Sequence, residues 1–289
     1  MPSLATNGIS LYYEVRGDPA NAPMMLVTGL GGFGSAWGPQ IERFAADHFV
    51  IVPDHRGIGR STHTLEGHKT EQLAADMAAL AEHLGTGPLD VVGASTGGAI
   101  AQYMALNHPE VVRTLTLSST WARFDPFTRA EFAARRKMAA EWERASLYPA
   151  YALFLFSPRF WREQTERVQA WIDRAANNPE QPDDREIALL RIDMLMAHDT
   201  LDRLGEIQQP TLIICADRNF CTPLPLSVEL ARNIPNAELV VLEDAGELID
   251  IERPDEFFET ISDFIRRGRL VSPEDAPVHD ARPGFSIGR

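Results

Sequence analysis

A serine flanked by glycines is the feature of this sequence whose residue types and spacing point most directly to chemistry. Gly93-Ala94-Ser95-Thr96-Gly97 follows the apolar run Leu89 to Val92 and precedes a helix-like stretch that begins at Gly98. This pattern has the form of a nucleophile elbow, in which a sharp strand-to-helix turn exposes the serine hydroxyl and the glycines let strand and helix approach closely. The flanking elements favour a candidate nucleophile at Ser95 over a serine with only a structural role in a turn.

The composition is that of a globular chain with a sizeable core. The 289 residues are 44% hydrophobic and 24% charged, enough for one large core or a core plus a lid. The sequence contains no run that approaches the roughly 18 apolar residues of a membrane span. The segment Met1 to Asn7 has neither the basic end nor the apolar stretch of an export signal. We therefore expect a soluble, cytoplasmic protein that does not bind membranes.

The net charge of −14 disfavours nucleic acid as a partner, because phosphate binding requires clustered lysine and arginine. A small-molecule substrate is expected, and a homo-oligomer remains open. Cys215 and Cys221 are too few for a disulfide framework and lack companions at metal-ligand spacing, so no metal or other cofactor is predicted. Cys215 ends a strand-like run and is expected to be buried. Cys221 is expected in a loop beside the site, with nothing adjacent to stabilise a thiolate.

Short apolar runs bounded by Gly, Pro and Asp alternate with helical periodicity along the chain. This alternation predicts an α/β fold with a mostly parallel twisted sheet and flanking helices. Helices are predicted at Glu71 to Leu84 and Ala99 to Asn107. The predicted strands are Leu11 to Val15, Met24 to Val27, Phe49 to Val52, Leu89 to Val92, Thr114 to Leu117, Thr211 to Cys215 and Glu238 to Leu242.

The alternation is interrupted between about Trp121 and Leu204, where the sequence is helical and contains no convincing strand. We interpret 121–204 as a helical cap inserted between two strands of a core formed by 1–120 and 205–270. The segment 271–289, rich in proline and acidic residues, is predicted to be a flexible C-terminal tail.

With these elements in place, the chain resembles the α/β-hydrolase superfamily over about residues 8 to 268. Within the superfamily it is similar to small ester, lactone and carbamate-type hydrolases, such as the enol-lactonases and the aminoacrylate hydrolases. Besides the elbow, the resemblance is carried by Thr28 to Gly32 at the position of the oxyanion loop, Asp54 to Ser61 at a characteristic turn, Pro210 to Ile214 with Pro223 around the acid, and Glu252 to Phe257 at the final helix.

The resemblance implies catalytic roles for residues around the elbow. In such enzymes a serine attacks an acyl carbon, a histidine takes its proton, a carboxylate holds the histidine, and two main-chain N–H groups receive the oxyanion. Ser95 corresponds to the nucleophile. The N–H groups of Leu30 and Thr96 correspond to the oxyanion hole.

The other two positions depart from the family's pattern. The histidine normally follows a glycine after the last strand, but here that segment reads Ala245-Gly246-Glu247-Leu248, which places Glu247 at the histidine position. The acid normally lies four residues before the proline of its loop, and counting back from Pro223 gives Asn219. Asp217, two residues earlier, is a secondary candidate for the acid.

Two explanations fit this pair of replacements. Both partners could have been lost by drift, leaving a pocket that only binds. Alternatively the two changes belong together, because an aspartate beside Glu247 would repel it, whereas Asn219 offers an N–H₂ donor. We favour the second explanation. Glu247 then donates or accepts a proton, and Ser95 either attacks the substrate or hydrogen-bonds to it. A glutamate starts with a proton affinity roughly 3 kcal/mol below that of histidine, and burial can narrow that gap.

His198, followed by Asp199, lies where the predicted cap returns to the core and is a secondary candidate for the base. The sequence as a whole favours a cofactor-independent enzyme that hydrolyses a small ester, lactone or amide. The alternatives are a lyase, decarboxylase or cyclase that uses the same oxyanion hole with Glu247 as acid or base, and a ligand-binding protein without turnover.

Overall fold

One sheet of eight strands organises the part of the chain that the computed structural model describes, residues 2–31, 33–178 and 184–270. Its spatial order is β1-β2-β4-β3-β5-β6-β7-β8, and all pairs from β4 to β8 are parallel. The prediction of an α/β fold with a mostly parallel sheet is therefore confirmed. The strands are β1 (Ser3–Thr6), β2 (Ile9–Arg16), β3 (Ala22–Val27), β4 (His48–Pro53), β5 (Leu89–Ala94), β6 (Val112–Ser118), β7 (Thr211–Ala216) and β8 (Ala237–Leu242).

The central strands are buried on both faces, as parallel strands covered by helices are. Every residue of β7 is buried, and Met24 to Val27 in β3 are inaccessible to solvent. All seven predicted strands fall within β2 to β8. Sequence analysis missed β1, because its four residues, Ser-Leu-Ala-Thr, form a short, partly exposed edge strand that pairs antiparallel with β2 and shows no apolar run.

The helices lie in two layers against this sheet and in one insertion. Leu73 of α2 and Ala99 of α3 belong to one apolar layer, and Phe44 of α1 and Phe257 of α11 belong to the other. None of the helices in the described ranges is long and apolar enough to cross a membrane. The α-helices are α1 (Pro39–Ala45), α2 (Thr70–Leu84), α3 (Thr96–Asn107), α4 (Pro126–Glu141), α5 (Arg144–Leu155), α6 (Pro158–Glu163), α7 (Thr165–Ala176), α8 (Arg185–Ala197), α9 (Leu224–Asn233), α10 (Ile249–Glu252) and α11 (Pro254–Leu270).

Five helices, α4 to α8, form the helical insertion between β6 and β7. The insertion has an apolar cluster of its own around Phe156, Phe160 and Ile172. Its separation from the core as a cap with the limits 121–204 stays a prediction. The segment 271–289, predicted to be a flexible tail, lies outside the described residues.

Candidate active site

Ser95 lies at a sharp turn between β5 and α3, with φ 53° and ψ −117°. A non-glycine residue with positive φ is strained, and such strain persists only where the surrounding structure holds it. Glycine is required on both sides, because a Cβ on Gly97 would collide with the carbonyl oxygen of Val27 and one on Gly93 with the carbonyl oxygen of Gly97. The turn therefore presents the Ser95 side chain at the carboxyl end of β5, where it lines a cavity.

The loop after β3 lies directly against this turn. A Cβ on Gly29 would be 3.4 Å from the Cβ of Ser95, which places the neighbouring Leu30 at the rim of the same cavity. Thr96 is the first residue of α3, so its main-chain N–H has no acceptor within the helix. Asp54 braces the loop by accepting the N–H of Gly34 at 2.8 Å. An oxyanion hole formed by Leu30 and Thr96 stays a prediction that this arrangement allows.

Glu247 is held by its main chain and its side chain in the loop between β8 and α10. Its N–H donates to the carbonyl of Leu155 at 2.9 Å, and its carbonyl accepts the Ser119 hydroxyl at 3.0 Å. The carboxylate oxygen Oε2 accepts hydrogen bonds from Nδ2 of Asn219 at 2.7 Å and from the Thr222 hydroxyl at 2.6 Å. The structure thus brings together the two side chains at the positions where the resemblance places histidine and acid.

The charge state of Glu247 reflects competing effects. Burial raises the pKa of the Glu247 carboxyl, while the bonds from Thr222 and Asn219 oppose the rise, and Ser95 and Arg135 also lower it. The Ser95 hydroxyl is close enough to the carboxylate to lower its pKa, although the two groups do not meet hydrogen-bond geometry. The other carboxylate oxygen, Oε1, is buried without a hydrogen-bond partner among the described residues. One carboxylate oxygen is therefore available for a proton, and the group is a stronger base than an exposed glutamate.

A cation from the helical insertion reaches the same site. Arg135 of α4 is 5% exposed and donates to Glu131 Oε1 at 3.3 Å and to the Cys221 sulfur at 2.9 Å. The expectation that no adjacent group could stabilise a Cys221 thiolate is therefore wrong, because the Arg135 guanidinium contacts the sulfur. Burial nevertheless raises the pKa of the Cys221 thiol well above its ordinary value, so the thiol stays protonated.

Glu131 provides a test of these electrostatics by its effect on stability. Burial outweighs the attraction of Arg135 and raises the pKa of Glu131 from 4.5 to about 7. Because the pKa of Glu131 is higher in the folded protein than in the unfolded chain, the stability contributed by its protonated carboxyl is complete below pH 4.5. That stability is lost as the pH rises from 4.5 through 7. As the pH rises from 4.5 to 8, the unfolding free energy of Glu131→Gln should therefore increase relative to that of wild type by on the order of 1–3 kcal/mol.

Urea unfolding at a series of pH values measures this difference. The matched control is Glu163→Gln, an exposed glutamate of α6 that pairs with Arg159, for which we expect no change of slope. Parallel stability curves for wild type and Glu131→Gln across the range would contradict the burial argument.

The two secondary candidates lie elsewhere. Asp217 accepts the main-chain N–H of Asp244 at 2.7 Å and does not line the cavity. His198 is buried, with its Nδ1 3.0 Å from the Thr70 hydroxyl, and burial lowers its pKa to about 3. The structure therefore does not bring either residue to Ser95.

The cavity above Ser95 has a volume of about 400 Å³, suited to a small organic molecule. Sequence reasoning missed three residues here: Thr222, which completes the bonds to Glu247, and Arg135 and Arg191, which line the cavity. The sequence carried no signal for the two arginines, because the residue type of a helical arginine does not show whether its side chain points inward or into solvent. The described residues contain no group of three His, Cys, Asp or Glu side chains placed to hold a metal ion.

Comparison with known proteins identifies the family. The sequence model described as "alpha/beta hydrolase fold" matches residues 22–254. The chain belongs to the α/β-hydrolase family. It is 33% identical to a protein of Azorhizobium caulinodans named carbamate hydrolase RutD, over 91% of this chain and 98% of that one. It is 30% identical to the Rhizobium rhizogenes protein of the same name, over 89% and 98% of the two chains.

Solved structures of other α/β-hydrolases share this fold. The enol-lactonase from Burkholderia xenovorans is 26% identical, with a TM-score of 0.82 over 92% of this chain and all of its own. An α/β-hydrolase enzyme from a Medee basin deep-sea metagenome library reaches a TM-score of 0.86 at 21% identity over 92% and 97%, a likeness in fold alone. The family match and the relatives named as a carbamate hydrolase and an enol-lactonase show that this protein is an enzyme of the α/β-hydrolase type.

Proposed function

We propose that this α/β-hydrolase cleaves a small ester, lactone or amide, with Ser95 as nucleophile, Glu247 as its base and Asn219 holding Glu247 in place. The observation that carries the proposal is the buried carboxylate of Glu247, fixed through Oε2 by two hydrogen bonds and facing Ser95 with Oε1 free of partners among the described residues. The names of the relatives, carbamate hydrolase and enol-lactonase, are consistent with substrates that carry an acyl or carbamoyl carbon.

The proposed reaction has two matching halves. The Ser95 oxygen bonds to the carbonyl carbon while its proton moves to Glu247, and the N–H groups of Leu30 and Thr96 stabilise the oxyanion. The proton then passes to the leaving alcohol or amine as its bond to carbon breaks. Water attacks the acyl-serine ester in the same way, releases the acid and restores Ser95. The helical insertion acts as a cap that excludes bulk water from this sequence.

Covalent labelling with a fluorophosphonate tests whether Ser95 is a nucleophile. We expect the protein to gain the mass of one phosphonyl group in intact-mass spectrometry, and Ser95→Ala to gain none. An enzyme that forms an enolate at the oxyanion hole with Glu247 moving protons would need no serine nucleophile. Failure of the folded wild type to react would therefore reject the hydrolytic mechanism and favour that alternative.

A further inference from the structure

Arg191 of α8 is a buried cation that lines the cavity and has no role in the proposed reaction. It is 1% exposed. Its Nη2 lies 3.2 Å from His55 Nδ1, and its Nη1 donates to the carbonyl of Arg56 at 3.3 Å. Its Nε is buried without a partner among the described residues. A guanidinium carries five N–H donors, so most of the hydrogen-bonding capacity of this one is unused.

None of the carboxylates among the described residues balances the positive charge of Arg191 locally. Within the described ranges, the buried Arg56 pairs with Asp76 at 2.7 Å and the buried Arg135 with Glu131 at 3.3 Å, whereas no carboxylate lies within 4.0 Å of Arg191. Burial lowers the pKa of Arg191 to about 10. Burial and the charge of Arg191 also hold the pKa of His55 well below its ordinary value, so His55 is neutral. A buried, unpaired cation is costly to maintain.

Asp184, the N-cap residue of the same helix, does not pair with Arg191. Asp184 lines the cavity but caps α8, where its side chain accepts the N–H of Ile187 at 3.1 Å. It precedes Arg191 by seven residues, which corresponds to about 10 Å along a helix axis. Among the described residues, the guanidinium of Arg191 therefore keeps a positive charge at the cavity wall without a carboxylate partner, and that charge fits a single monoanionic group of a ligand.

We propose that Arg191 binds a carboxylate of the substrate, so that the enzyme acts on an ester, lactone or amide that also carries a free carboxylate. This inference rests on the proposed function for the identity of the reacting bond. A guanidinium that has no carboxylate partner among the described residues and lies beside a neutral histidine suits a carboxylate better than a phosphate dianion, which usually needs several cationic or main-chain donors. Repulsion from Glu247 also disfavours binding of the carboxylate next to Ser95 in the reversed orientation.

Binding measurements test the inference without requiring turnover. Isothermal titration compares glutaramate, a monoanion, with the neutral glutaramide and with inorganic phosphate. We expect glutaramate to bind wild type more tightly than the other two, and Arg191→Gln to weaken glutaramate by about 10-fold or more while leaving glutaramide unchanged. The matched control is Arg185→Gln, an arginine that also lines the cavity but lies near Glu143, which should retain the preference.

Arg191→Gln retains an N–H₂ donor and removes the charge that has no carboxylate partner among the described residues, but it also loses the bond to the Arg56 carbonyl, so its melting temperature should stay close to that of wild type. Equal binding of glutaramate and glutaramide to wild type, tighter binding of phosphate, or unchanged glutaramate affinity in folded Arg191→Gln would overturn the inference. The preference for glutaramate can hold while Ser95 fails to react with a phosphonate, so the failure of the subsite and the failure of the proposed hydrolysis are distinguishable.

Discussion

Glutamine in place of Glu247 is expected to lower kcat/KM for a simple ester by about 10²- to 10⁴-fold, the usual contribution of a general base. Glutamine preserves the shape of the side chain and an acceptor for Asn219 and Thr222, but it cannot take the proton of Ser95. Because burial raises the pKa of Glu247 and the ionised form is the base, wild-type activity should rise with pH through that raised pKa. This rise should be absent in the residual activity of Glu247→Gln.

Steady-state kinetics with a nitrophenyl ester between pH 5 and pH 9 measure both effects, and phosphonate labelling reports on the same step. Asp217→Asn and His198→Gln are the controls, because neither residue lines the cavity. We expect each to retain activity within about 3-fold, since neither change removes a group that takes part in proton transfer. Activity of Glu247→Gln equal to wild type, in a folded protein, would remove Glu247 from the mechanism.

The second large effect is expected when the histidine and acid of the family's pattern are restored together. Glu247→His with Asn219→Asp should raise simple esterase activity by about 10-fold or more, because an imidazole starts roughly 3 kcal/mol higher in proton affinity. Burial of Glu247 already offsets part of this difference. The acid loop suits the change, since Oδ1 of Asn219 accepts the N–H groups of Cys221 and Thr222 at 2.9 Å each, and an aspartate keeps both bonds.

Single variants isolate the cause of that gain. Asn219→Asp alone places a second carboxylate where the amide now donates to Glu247 at 2.7 Å. One of the two must then hold a proton, so the pair's pKa rises and the variant should lose stability as pH increases. Thermal melts between pH 5 and pH 8 measure this loss, and the double variant should not show it. A well-folded double variant that lacks any gain in esterase activity would mean that Glu247 and Asn219 do not hold the positions of the base and the acid.

Sequence alone determined the features that local rules control. Apolar runs and breakers located seven strands, six of which lie in the parallel part of the sheet, where burial on both faces favours apolar residues. Glycines at 93 and 97 located the elbow, since that turn leaves no room for a Cβ at either position. The positions of Glu247 and Asn219 followed from their spacing to neighbouring glycine and proline residues, and the structure joins their side chains at 2.7 Å.

Tertiary structure alone decided the direction of long side chains in the helical insertion and the charges they keep. His198, Arg135 and Arg191 all occur in that part of the sequence, yet packing turns His198 toward Thr70 and both arginines toward the cavity. Desolvation likewise depends on neighbours that are distant in the chain, and it raises the pKa of Glu131 to about 7. The same packing leaves Arg191 without a carboxylate partner among the described residues. Such properties arise from the summed surroundings of a group rather than from its local sequence, so only the folded chain reveals them.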